Sequence, residues 1–117
     1  MVSEEKWIED AKAETSRFYW WGIPTFFRCP WNEDPSGCDI GLVGVPHSSG
    51  NGSTERDQHL APRAVRHVSG WYRRAHLKFG FVPWDECRIS DLGDVPLPEA
   101  MVNDVCVQHI EAFYRGL

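Results

Sequence analysis

Two short apolar runs, each followed by residues at helical spacing, dominate the hydrophobic pattern of this chain. DIGLVGV (39–45) is apolar at successive positions between turn residues, which predicts a strand buried on both faces. Pro62 suits the first turn of a helix, and Ala64, Val65, Val68, Trp71 and Tyr72 recur at helical spacing to about Ala75. CRISDLGDV (87–95) predicts a second strand ending in an Asp-Leu-Gly-Asp turn. Pro98 and Glu99 open a last helix with Val102, Val105, Cys106, Ile110 and Phe113 inward, stopped by Gly116. Strand, helix, strand, helix is the order of the α/β class: a parallel sheet covered by helices.

Upstream, residues 4–18 read as a polar helix with Ser3 as N-cap and Trp7, Ile8, Ala11 and Phe18 on a weak apolar face. YWWGIPTFFRCPW (19–31) follows, six aromatics around two prolines. Glycine and proline forbid a regular element there, so the segment reads as an extended hydrophobic arm that must lie against something. Its Trp20, Trp21, Phe26, Phe27 and Trp31 suit packing or a subunit contact. NEDPSG (32–37) is a turn-rich connector. The organisation is thus an N-terminal helix and arm over 1–38 and an α/β unit over 39–117. Two parallel strands do not make a stable sheet alone, and the last helix stops where another strand should begin. The expectation is an incomplete domain.

Composition narrows the function. The 117 residues allow one domain, and 42% hydrophobic with 25% charged residues argues for a globular fold. A net charge of −5, with basic residues scattered among acids, disfavours a nucleic-acid-binding module, and no nucleic-acid partner is expected. No run approaches the ~20 apolar residues of a membrane span. The acidic start predicts no secretory signal and a cytoplasmic protein. Cys29, Cys38, Cys87 and Cys106 contain no C-x-x-C pair, so they read as reduced thiols rather than a zinc or redox site.

Candidate chemistry concentrates in GVPHSSGNGSTERDQHLAPRAVR (44–66). Its glycines follow a strand, but neither a P-loop nor G-x-G-x-x-G spacing is present, and Glu55 and Asp57 would repel phosphate. His47, Asp57 and His59 offer a possible mononuclear metal site without any established ligand spacing. No G-x-S-x-G elbow makes Ser48 or Ser49 a nucleophile. The plainest reading is a sharp turn at Gly50-Asn51-Gly52, with Arg56, Arg63 and Arg66 bridging Glu55, Asp57 and carbonyls. Ligands in open α/β sheets bind at the carboxyl ends of strands, so this loop is a candidate wall of a site. His47, Asn51, Arg56 and His59 are the candidate substrate-binding residues at its mouth.

DIGLVGVP-x-x-S-G, then APRAVR, then RISDLGDVPLPEA, together resemble the opening of the ureohydrolases, the arginase and agmatinase family. GIPTFFRCPW resembles the segment preceding that first strand in agmatinase-like members, so the resemblance covers residues 22–99. It implies the first strand–helix units of a three-layer α/β/α parallel-sheet fold, truncated here. It implies hydrolysis of a small guanidino compound (agmatine, a guanidino acid or guanidine) to urea and an amine. Two divalent ions, usually manganese, and a homo-oligomer are implied for the full-length enzyme.

His47-Ser48 stands where the agmatinase pattern has Phe-Asp, and residues 54–59 replace its R-P-G. That variant resembles the guanidinobutyrase and guanidinopropionase branch. Ala61 replaces the usual glycine of G-P-R. The family's metal motifs, G-G-D-H, D-A-H-x-D and a D-x-D pair, are all absent from this chain. The resemblance therefore implies no metal bound by these residues, no catalytic residue among them and no activity of the segment alone. The rival expectation is a stand-alone interaction module that docks on a partner through the aromatic arm.

Overall fold

The computed structural model describes residues 3–6, 22–50, 57–70 and 75–117. Strand β1 (Ile40–Gly44) and strand β2 (Ile89–Asp94) pair in parallel, with Ile40 opposite Ile89 and Leu42 opposite Asp91. Helix α1 (Ala61–Ser69) leads from β1 towards β2, α2 (Pro83–Glu86) is a single turn before β2, and α3 (Asn103–Arg115) follows it. The α/β order read from the sequence is therefore present, with both strands slightly shorter than their apolar runs.

The arm lies against β2. Asp91 donates its N–H to the Pro30 carbonyl at 2.9 Å, and Asn32 donates to the Asp91 carbonyl at 3.0 Å. Pro30 has no N–H to offer, so this edge pairing is confined to one bridge at Trp31. Before it, Phe26–Arg28 form one 3-10 turn in which Phe27 and Arg28 have φ of 50° and 59°. That reversal drops Phe26 and Cys29 onto Ile89, with Phe27, Leu42, Trp84 and Cys87 packed around them. Among the arm's aromatics, Trp20 and Trp21 lie outside the described residues.

These neighbours decide which strand is buried. Ile89, Ser90, Asp91 and Leu92 are all buried, because β2 has the arm on one side and β1 on the other. β1, expected from its apolar run to be buried on both faces, has only β2 beside it among the described residues, and there Ile40 is 41% exposed while Gly44 is buried. Among the described residues β1 pairs with β2 alone, which leaves its other edge open.

The pairing also carries an irregularity. Leu42 faces Asp91, but Gly44 faces Asp94, so β2 holds one more residue than β1 across this interval. Gly93, at φ 85°, absorbs the extra residue in a conformation that costs an L side chain energy. The bulge turns Asp94 back to the side that Asp91 occupies. Gly44 lies against Asp94 and Pro62, leaving no space for a Cβ.

Helix α1 is shorter than its hydrophobic spacing suggested and is oriented differently. It ends at Ser69, with Gly70 as its C-cap, while Trp71 and Tyr72 lie outside the described residues. Its buried positions are Pro62 and Ser69, with Arg66 half-buried between them, whereas Val65 and Val68 are 44% and 48% exposed. A buried carboxylate on β2 requires a counter-charge, and Arg66 on the face of α1 towards β2 supplies it.

The last helix begins at Asn103 rather than Pro98, since residues 98–101 form a turn. Cys106 is fully buried, Val105, Ile110 and Phe113 are half-buried, and Val102 is exposed. At the N-terminus Ser3 accepts the Lys6 N–H at 3.2 Å, the bond an N-cap makes. The remainder of the helix expected over residues 4–18 lies outside the described residues from Trp7 onward.

Candidate functional site

Both strands end beside one another, and their exits carry the polar groups of interest. After β1 the chain turns tightly at Pro46, with the His47 N–H bonded to the Val45 carbonyl at 2.9 Å. The next side chains then diverge. His47 Nε2 lies 3.0 Å from Asn103 Oδ1 at the start of α3, while Ser48 Oγ lies 3.1 Å from His59 Nδ1. Ser49 Oγ sits 3.5 Å from His47 Nδ1 and 3.9 Å from Cys106 Sγ. The Ser48–His59 bond closes the base of the loop, joining residues eleven apart.

At the exit of β2 the dominant feature is a three-member ion network. Asp91 is 1% exposed, and Arg66 grips it with two bonds, Nε to Oδ2 at 2.8 Å and Nη2 to Oδ1 at 3.0 Å. The Phe26 and Gly93 N–H groups also donate to this carboxylate, at 3.0 and 2.9 Å. Arg66 Nη1 reaches Asp94 Oδ1 at 2.7 Å, and the guanidinium lies 4.2 Å from the centre of the Phe26 ring. The Asp91 hydrogen bonds hold the Arg66 guanidinium above even its ordinary high pKa, against the opposing effect of burial. An open pocket of about 220 Å³ adjoins the network, lined by Ile23, Pro24 and Trp31 together with Arg66, Asp91 and Asp94.

Of the four residues expected at the mouth, His47 lies beside Ser49 and Asn103, and His59 beside Ser48. Asn51 and Arg56 lie outside the described residues. Arg66 turns inward to Asp91 and Asp94 rather than to Asp57, because a buried carboxylate needs a charge-assisted partner, and Glu55 lies outside the described residues. Arg63 is exposed. Asn103 and the Arg66 network were missed, although an aspartate inside an apolar strand run is itself a signal that a cation must come to meet it.

The metal pair implied by the family does not fit these residues. His47, Asp57 and His59 do not converge, and among the described residues no three His, Cys, Asp or Glu side chains could hold one ion. Asp91 and Asp94 both reach the same cation, Arg66, which occupies the position a metal ion would take between them. The four cysteines are free thiols, with burial pushing the Cys38 thiol pKa up. No helix among the described residues is long and apolar enough to cross a membrane.

Comparison with known proteins places this arrangement. The family model described as the arginase family matches residues 38–117. Guanidinopropionase of Pseudomonas aeruginosa is 40% identical over 103 residues, which cover 88% of this chain and 31% of that protein. Mitochondrial agmatinase of Gallus gallus is 28% identical over 94 residues, covering 80% of this chain and 27% of that protein. The solved structure of proclavaminate amidinohydrolase from Streptomyces clavuligerus superposes with a TM-score of 0.75 at 26% identity, over 84% of this chain and 32% of that one. This chain thus spans about a third of the length of the relatives it matches. By a match running through both strands and all three helices, the chain belongs to the arginase family.

Proposed function

We propose that these residues form the opening strand–helix units of an enzyme that hydrolyses a guanidino acid to urea and an amino acid. The observation that carries this reading is the 40% identity to a guanidinopropionase over 88% of the chain, against 28% to an agmatinase. The chemistry balances simply. Water adds across R–NH–C(NH2)2⁺, the bond between the substituted nitrogen and carbon breaks, and R–NH3⁺ and urea leave. Two divalent ions, manganese by resemblance, would belong to parts of the enzyme outside these residues, and no catalytic step is assigned to this chain.

What these residues contribute is one wall of the substrate mouth. Residues 47–50 follow the carboxyl end of β1, where α/β sheets bind ligands, which supports reading the loop from His47 to His59 as that wall. His47, Asn51, Arg56 and His59 are its candidate polar groups, and Arg56 is the arginine this stretch of sequence contains for the carboxylate that a guanidino acid has and agmatine lacks. The 117 residues alone are expected to release no urea, and the whole enzyme to act as a cytoplasmic homo-oligomer.

Urea release by the enzyme carrying this segment tests the reading, with guanidinopropionate, guanidinobutyrate, agmatine and guanidine supplied in parallel. A guanidino acid should give the highest kcat/KM. Preference for agmatine or for guanidine would overturn it.

A further inference from the structure

We infer that Asn103 is a positioning residue that fixes the tautomer and direction of His47 at the substrate mouth; this rests on the guanidino-acid reading. Asn103 Oδ1 lies 3.0 Å from His47 Nε2. A carbonyl oxygen can only accept, so Nε2 carries the ring proton and Nδ1 presents a lone pair. That lone pair faces Ser49 Oγ at 3.5 Å, and Ser49 also lies 3.9 Å from the buried Cys106 Sγ. Cys106 in turn donates to the Glu99 carbonyl at 3.3 Å. The imidazole is thus held along one edge by α3 and along the other by its own loop.

The backbone of the loop meets the same atom. A Cβ on Gly50 would stand 2.6 Å from Asn103 Oδ1, so residues 47–50 lie directly on the first turn of α3. No side chain caps the start of α3, and the Asn103 carbonyl serves the loop instead. The consequence is chemical. With Nε2–H committed to Asn103, His47 presents an acceptor and not a donor, so it shapes the mouth without binding a carboxylate itself.

The test compares the native enzyme carrying this segment with Asn103→Asp and Asn103→Leu. Asp retains an oxygen acceptor for Nε2–H, and Leu removes it. Ring 15N–1H spectra, with the His47 signal assigned by its loss in His47→Gln, report the tautomer without reference to activity. The native form should show one Nε2–H tautomer, and the Asp form should keep its Nε2–H signal through a charge-assisted bond. The Leu form should show mixed tautomers and a KM raised about five- to tenfold at nearly constant kcat, as expected for losing one positioning hydrogen bond. Mixed tautomers in the native enzyme would overturn the clamp whatever the substrate. A single tautomer lost in the Leu form, with KM unmoved, would overturn the placing of His47 at the mouth. The predicted spectra in an enzyme that prefers agmatine would uphold the clamp while removing the guanidino-acid reading.

Discussion

Arg66 and Asp91 meet side by side, with Nε 2.8 Å from Oδ2 and Nη2 3.0 Å from Oδ1, and this contact joins helix, strand and arm at one point. The geometry uses the planar fork that lysine lacks. Because Asp91 is 1% exposed and Arg66 12%, removing the cation strands a charge in the interior. Arg66→Leu should cost about 3–5 kcal/mol, read as a lower urea midpoint at unchanged m-value. Arg66→Lys should recover only part of the loss. Replacing both partners by leucine should recover only part as well, since the Phe26 and Gly93 N–H groups would then lose their acceptor.

Gly93 controls whether the second carboxylate can join. Residues three apart on a regular strand point to opposite faces, yet Asp91 and Asp94 both reach Arg66. The bulge at Gly93 reconciles these facts, and its φ of 85° suits glycine. Gly93→Ala should therefore destabilise by about 1–3 kcal/mol through backbone strain. An added Cβ would also stand 3.2 Å from Trp31 Nε1. Thermal unfolding of Gly93→Ala beside Arg66→Leu, and of the two combined, checks the link: the combined loss should be smaller than the sum, because the two changes share the Asp94 contact.

How far the sequence foretold this arrangement follows from what periodicity encodes. Both strands fell within a residue or two of their apolar runs, because a short apolar stretch between turn residues has few other uses. Helix α1 was located, but its apolar spacing did not show which residues meet the strand. Val65 and Val68 form the apolar stripe, while Pro62, Arg66 and Ser69 are the positions that pack within these residues, with Arg66 meeting the charge on Asp91. Long-range polar partners carry no local signature, so Asn103 could not be tied to His47, fifty-six residues earlier, from spacing alone. The family motifs survived because they quote whole turns and strands; pairings between elements appear only once the chain is folded.

Ser69 links α1 to the arm through a single hydroxyl. It accepts the Phe27 N–H at 2.8 Å and donates to the Arg66 carbonyl at 3.2 Å, and the residue is 4% exposed. Ser69→Ala leaves the Phe27 amide without this acceptor in a partly buried place, which should cost about 1–2 kcal/mol. The loss should be local. Amide hydrogen exchange at Phe27 should accelerate well before exchange in β2 does, since opening the arm need not break the β1–β2 ladder. Equal acceleration at Phe27 and Leu92 would mean the arm and sheet open as one unit.

Asp39 gives the entrance of the sheet a pH dependence whose sign is fixed by its partners. Its carboxylate accepts the Arg88 N–H at 2.8 Å, with the Arg88 guanidinium at 3.4 Å, and these lower its pKa below the usual aspartate value. A folded-state pKa below the unfolded one binds fewer protons in the folded state, so the pair stabilises at pH above about 3.9, the unfolded value. That contribution fades as pH falls through the lowered folded-state value. Asp39→Asn should be less stable than the native protein near neutral pH, and the two should converge in acid. Because both side chains are largely exposed, added salt should shrink the difference. Melting temperatures of both forms across the acid range decide the matter: a gap that persists unchanged at low pH would show that the carboxylate's charge contributes nothing, and that asparagine fails at Asp39 for reasons of shape alone.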